Sequence, residues 1–206
     1  LNSPHCTSEV LLAKDKAGVT VLMCAAYAGH VGIVKAILES PLCTKEMLST
    51  ETTYEENALM LAVERGRTEI VKAILESSHC TPEVLLAEDQ GGNTTLIHAA
   101  RLGEAEMVKA ILASPHCTSE LLLAKDENGM TAEQHVEASG EGEILQKIRE
   151  AVKATKTAPG TSEYTTLGLF TSTDTSTAQD DRSRNTLNPD MAGNNPDESQ
   201  AAGPNQ

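Results

Sequence analysis

Aromatic residues are almost missing from this sequence: there is no Trp, one Phe (Phe170) and three Tyr in 206 residues. A core must therefore be built from Leu, Ile, Val, Ala and Met. That suits small-residue helical packing and disfavours a β-sandwich, where aromatic and β-branched residues lead. Positive charge is also scarce. Lys and Arg number 16 against 30 Asp and Glu, for a formal net charge of -14. Residues 1–156 carry 14 Lys/Arg and 23 Asp/Glu, and residues 157–206 carry 2 and 7, so the deficit runs through both parts. Such a chain is repelled by phosphate backbones and anionic lipid, which argues against a nucleic-acid partner. No apolar run approaches the roughly 18 residues that cross a bilayer. Membrane insertion is not expected, and no signal peptide is visible. The five Cys are an odd number and give no disulfide framework. They fit a reducing, cytoplasmic setting.

What is present is a period. The stretch SPHCTSE at Ser3–Glu9 returns unchanged at Ser114–Glu120, with SPLCTKE at Ser40–Glu46 and SSHCTPE at Ser77–Glu83 between them. Cys6, Cys43, Cys80 and Cys117 stand 37 residues apart. The run IVKAIL at Ile33–Leu38 recurs at Ile70–Leu75, as MVKAIL at Met107–Leu112 and as ILQKIR at Ile144–Arg149, always in steps of 37. Gly29, Gly66, Gly103 and Gly140 keep the same beat. Units are expected at about 1–39, 40–76 and 77–113, with an altered fourth at 114–153. Stepping the period back places Leu1 where Leu38, Leu75 and Leu112 stand, so the array is expected to be truncated at its N-terminal end.

Each unit has a local grammar. Asp15-Lys16-Ala17-Gly18 is a turn with Asp and Gly at its ends. Thr20 offers an N-cap, Leu22, Ala25 and Ala26 recur at helical spacing, and Gly29 ends that helix. In a second helix Ile33, Val34, Ile37 and Leu38 form one apolar stripe, with Lys35 and Glu39 outward. Thr7, Thr44, Thr81 and Thr118 then open a short third helix, with Pro82 at its first position in one unit and Glu in every first turn. One such unit exposes apolar faces on both sides, and stacking units buries them.

The run Asp15–Leu38, through Asp15, Gly18, Thr20, Leu22, Ala25-Ala26, Gly29-His30, Val34 and Leu38, resembles the ankyrin repeat. Asp89, Gly92, Thr94, Leu96, Ala99-Ala100, Gly103, Val108 and Leu112 match nearly as well. The resemblance covers about residues 1–153 and implies an all-α helical-repeat solenoid, here with a short extra helix per repeat. Three departures stand out. The unit is 37 residues long, against about 33 in the family, and the surplus falls in the SPHCTSE linker. The family's Thr-Pro-Leu-His start becomes Thr20-Val21-Leu22-Met23, Asn57-Ala58-Leu59-Met60, Thr94-Thr95-Leu96-Ile97 and Thr131-Ala132-Glu133-Gln134, without its Pro or its hydrogen-bonding His. Glu55 replaces the turn Gly, so the second unit's turn is expected to be distorted. In the fourth unit Glu133 and Glu137 stand where other units have Leu and Ala, as a polar C-terminal cap would require.

Residues 154–206 differ. Thr, Ser, Asn, Asp, Gly, Pro and Gln dominate without an apolar period, and a disordered polar tail is expected. Tyr164–Phe170 (YTTLGLF) interrupts it, as a chance apolar cluster or as a docking or secretion motif.

Catalytic and metal chemistry find little support. Paired His-Cys residues (His5-Cys6, His79-Cys80, His116-Cys117) lie a full repeat apart, and stacked helices sit about 8–10 Å apart. That exceeds the roughly 7 Å Cα limit of a disulfide and suits a shared tetrahedral ion poorly. The reading is structural: small Cys residues packed under the linker, with no metal or cofactor. Cys24 and His98 occupy equivalent positions two units apart and cannot form a nucleophile–base pair. Nucleophile elbow, phosphate loop and H-E-x-x-H are all missing. The acidic cluster Glu51, Glu55 and Glu56 around Tyr54 is either a solvated face or an acidic lip for a basic partner.

The resemblance implies protein–protein recognition, with a protein partner along the concave face made by turn tips and first helices. Carried over unit by unit, the positions are Lys16, Ala17, Val19, Tyr27 and Ala28; Thr53, Tyr54, Glu56, Glu64 and Arg65; Gln90, Gly91, Asn93, Arg101 and Leu102; and Glu127, Asn128 and Met130. Tyr27, Tyr54, Arg65 and Arg101 are the expected anchors, and a monomer is expected. The resemblance also implies a second reading: the targeting region of a larger enzyme, or of an effector that an intracellular bacterium secretes into host cytosol.

Overall fold

A computed structural model describes residues 7–157. The expectations for His5, Cys6, the tail beyond Thr157 and Tyr164–Phe170 lie outside the described residues. Among those described there is no strand. The helices repeat in a three-beat order: short, first, second. They are α1 (Ser8–Leu12), α2 (Val21–Ala28), α3 (Val31–Leu38), α4 (Lys45–Ser49), α5 (Ala58–Glu64), α6 (Thr68–Leu75), α7 (Pro82–Leu86), α8 (Thr95–Arg101), α9 (Ala105–Ala113), α10 (Ser119–Leu123), α11 (Ala132–Ser139) and α12 (Gly142–Thr157). The expected all-α repeat architecture is what is observed, extra short helix included. Among the described residues no helix is long and apolar enough to cross a membrane. The last helix continues past residue 153 to Thr157.

Stacking follows from the period. First helices pack on first helices (α2 on α5, α5 on α8, α8 on α11), and second on second (α3 on α6, α6 on α9, α9 on α12). Short helices line up beside them (α4 with α7, α7 with α10). Leu22, Ala26 and Leu38, then Leu59, Val63 and Leu75, then Leu96 and Ala100 are buried in one continuous core. Helices of five to nine residues are too short to be stable alone in water, so their stability comes from this packing.

Caps set the helix starts despite the missing Thr-Pro-Leu-His sequence. Thr20, Asn57, Thr94 and Thr131 each accept from the backbone N–H three residues on. Gln134 accepts in return from Thr131 N at 2.9 Å, completing a capping box. Asn57 also acts between units. Its amide donates to Val84 O at 2.9 Å, tying the second unit to the short helix of the third.

The SPHC linker is a built turn. Ser40, Ser77 and Ser114 accept through Oγ from the N–H two residues on, and through C=O from the N–H of Cys43, Cys80 and Cys117. Cys43 and Cys80 are buried and Cys117 is half-buried.

Three expectations need correction. Thr7 and Thr118 cap the short helices through their hydroxyls, but Thr44 and Thr81 do not. The Thr44 hydroxyl is buried without a partner, and the Thr81 hydroxyl engages the Glu83 carboxylate instead, lowering its pKa. Glu55 does not distort its turn: at φ 65° it adopts the left-handed conformation that Gly18 and Gly92 hold at 79° and 71°. Ile33, expected in the apolar stripe, is exposed, although Ile70, Met107 and Ile144 at the same position are buried.

Candidate protein-binding face

Turn tips and first helices make one face of the array. Each tip is closed by the same device. Asp15 Oδ1 accepts from Ala17 N and Val19 N, Asp89 Oδ1 from Gly91 N and Asn93 N, and Asp126 Oδ1 from Asn128 N and Met130 N, all at 2.8–2.9 Å. In the second unit Thr52 Oγ1 takes the Asp role, accepting from Tyr54 N and Glu56 N. Neighbouring tips are then joined sideways. Thr53 N donates to Ala17 O, Glu127 N to Gly91 O, both at 2.9 Å, and the Gln90 side chain to Thr53 O at 3.0 Å. This closeness needs glycine: a Cβ on Gly18 would lie 3.1 Å from Thr53 N, and one on Gly92 3.0 Å from Glu127 N. The backbone of the face is therefore repetitive and fixed, while its side chains differ from unit to unit.

Those side chains fall into three groups. Lys16, Thr53, Tyr54, Gln90, Glu127 and Asn128 at the tips, Tyr27, Ala28, Glu64 and Arg101 on first helices, and Arg65 and Leu102 just past their ends, are exposed. Ala17, Val19, Glu56, Gly91 and Met130 are half-buried. Asn93 is buried, and its amide is used on both oxygens of Asp89. The structure brings two residues together across a unit boundary: the Arg65 guanidinium carbon lies 3.9 Å from the centroid of the Tyr27 ring, within the reach of a cation–π contact. Tyr54 is 61% exposed.

A polar network supports Arg101 from beneath. Arg101 Nη2 donates to His98 Nδ1 at 3.4 Å, and Nη1 reaches Asn93 Oδ1 at 3.5 Å. A guanidinium only donates, so Nδ1 is the acceptor and the imidazole proton sits on Nε2, which donates to Asp89 Oδ2 at 2.9 Å. Burial lowers the His98 pKa and outweighs the pull of Asp89. Burial pushes Asp89 up, but the hydrogen bonds from Asn93, Gly91 and His98 more than reverse it. The fourth unit repeats the pair: His135 Nε2 donates to Asp126 Oδ2 at 2.8 Å. Asp126 is held low, first by the Met130 N–H. These helix-to-tip ties were missed in the sequence, although Asp and His at a separation of nine in both units were a visible signal. Glu56, by contrast, is raised by burial and then by the charges of Glu64 and Asp89. It marks an electronegative stretch on the face.

Among the described residues no three His, Cys, Asp or Glu side chains converge as a metal site. Burial pushes the Cys80 and Cys117 thiols up to about 11, so they stay protonated and weakly nucleophilic near neutrality. Two open clefts, of about 720 and 530 Å³, lie between successive second helices and their linkers. Their linings repeat with the period (Leu38 and Leu75, Ser40 and Ser77, His79 and His116), so they arise from stacking.

Residues 2–84 and 41–120 match the family model described as ankyrin repeats (3 copies), together more than half of the chain. The chain belongs to the ankyrin repeat family. No curated protein matches the sequence. Ankyrin repeats are generally protein–protein interaction modules and typically not enzymes. The ankyrin assignment accounts for the stacked helix pairs and for the linked tips.

Proposed function

We propose that this ankyrin array is a non-catalytic recognition module that takes a protein partner along its tip-and-first-helix face. One observation carries the reading: a strictly repeated backbone presents unrepeated aromatic and charged side chains, with Tyr54 61% exposed and Tyr27 stacked under Arg65. The anchors are Tyr27, Tyr54, Arg65 and Arg101, because aromatic and Arg side chains dominate interface energetics. Arg101 is steadied by His98 and Asn93, which lowers the entropy lost when a partner binds it. Lys16, Ala17, Val19, Thr53, Glu56, Glu64, Gln90, Leu102, Glu127 and Met130 complete the contact surface. Asn93 acts from behind it. A cytoplasmic setting and a monomeric chain belong to the same proposal, supported by an exposed free thiol at Cys24. The test is affinity capture with the full chain beside a Tyr54→Ala/Arg101→Ala variant of equal stability. A partner retained by the first and lost by the second supports the face. Equal retention overturns it.

A further inference from the structure

The two ends of the array are unlike each other. At the C-terminal end, Glu133, Glu137 and Arg149 occupy positions that are Leu, Ala and Leu in the third unit, and Arg149 bonds both carboxylates. At the other end no such charged cluster stands among the described residues. Val10, Val21 and Ile33 are 52%, 46% and 49% exposed. Their counterparts one period on, Met47, Ala58 and Ile70, are all buried, as are those of the third and fourth units. Cys24 is exposed too, where the second unit has a buried Leu61.

What buries the counterparts is known from the same molecule. Ala58 lies on α5, which packs on α2, and Ile70 lies on α6, which packs on α3. The covering surface is a helix pair with small residues such as Ala25 and Ala26 on its first helix, and Val34 and Ile37 on its second. We propose that the Val10–Val21–Ile33 end is a docking face for one further helix–turn–helix unit of the array's own kind, seated as α2 and α3 seat on α5 and α6. The continuity of three successive interfaces in one register specifies this occupant. A second copy of the chain is a poor fit, because it would have to offer its last unit. That unit presents Glu133, Glu137 and Arg149 where the docking face needs aliphatic groups, and burying them there is costly. The occupant is therefore a repeat with aliphatic residues at those three places. The apolar end face is a separate surface from the proposed partner-binding face.

The test compares the native chain with a lengthened one in which residues 38–74 are duplicated ahead of Leu1, so that Ile74 joins Leu1 in register. Alkylation of Cys24 by a maleimide is read by peptide mapping. The lengthened chain is expected to protect Cys24 on the order of tenfold or more, because reaction then needs local opening. Ile33→Asp should restore fast alkylation in the lengthened chain and leave the native chain's rate unchanged. Unchanged Cys24 reactivity in the lengthened chain, whether or not the added residues become helical, overturns the proposal. Sedimentation of the native chain supplies the second arm. A monomer is expected, and a dimer that hides Cys24 and is lost in Ile33→Asp overturns the proposal by assigning the face to a second copy.

Discussion

Arg149 reaches from the final helix back to Glu133: its Nε donates to Glu133 Oε1 at 2.7 Å, and its Nη2 to Glu137 Oε1 at 3.1 Å. In the third unit these three positions are Leu96, Ala100 and Leu112. Aliphatic side chains at these positions in every earlier unit give way here to a charged cluster. The carboxylates hold the guanidinium pKa up, with Glu133 the larger cause.

The short helices should respond unequally to loss of their Thr. Thr118 Oγ1 accepts from Leu121 N at 3.3 Å, so Thr118→Ala is expected to cost about 1 kcal/mol. Thr81 makes no such bond, and Thr81→Ala should cost less than about 0.5 kcal/mol. Urea midpoints of the two variants check this. Equal losses would mean that the Thr81 hydroxyl caps its helix in solution.

Glu55 holds a conformation that costs a residue with a Cβ roughly 1–2 kcal/mol. Glycine relieves that strain but loses more backbone entropy on folding. Glu55→Gly is therefore expected to stabilise the array by about 1 kcal/mol, raising Tm by roughly 2–4 °C. A lower Tm would show that Glu55 makes a compensating interaction.

The repeat was legible because its signals are local. Glycines at helix ends, Thr and Asn before apolar runs, and a stripe at Val34, Ile37 and Leu38 each act within one turn of helix. Glu133 and Glu137 were legible as charge at positions that are apolar in the other units. Arg149 was hidden, since its partners come from another helix and its own helix looks merely amphipathic. The tip geometry of the second unit was also hidden. Thr52 replaces Asp through a hydroxyl with the same acceptor reach, and Glu55 replaces Gly by bearing strain, so two apparent departures cancel. The Thr81 reading failed because Glu83 competes for the same hydroxyl. Exposure of Ile33 could not be inferred from a stripe identical to that of Ile70, because burial depends on a neighbouring unit. As for the proposed face, tip positions were legible from the period, but the inward turn of Asn93 depends on Asp89 and could not be read from spacing.

His98 should make the array sensitive to mild acid. Its native pKa lies below the ordinary value of about 6.5. Between that lowered value and about 6.5 the unfolded chain binds the extra proton, so stability is full above this window and falls as pH drops through it. Asp89 and Asp126 are also held below their usual value. Their contribution is full above about 3.9 and is lost only as pH falls further towards their native values. The expected profile of urea midpoint against pH has two separate declines. His98→Gln, which removes the titrating group, should abolish the first and leave the Asp126 part of the second, since His98 helps to hold Asp89 low but does not touch Asp126. A first decline that persists in His98→Gln would assign it to another group.

The charged end and the apolar end together predict an aggregation switch. Glu133→Leu, Glu137→Ala and Arg149→Leu, made together, restore the residues that bury one unit against the next. The new face would then be complementary to Val10, Val21 and Ile33 on another molecule. Such a contact is heterologous and does not close on itself, so it propagates head to tail. Sedimentation velocity should show a native monomer and concentration-dependent growth of the triple variant. Adding Ile33→Asp to the triple variant should return it to monomer, because the second half of each contact is then charged. Growth that ignores Ile33→Asp would mean that the restored face pairs with itself, and growth would then stop at the dimer.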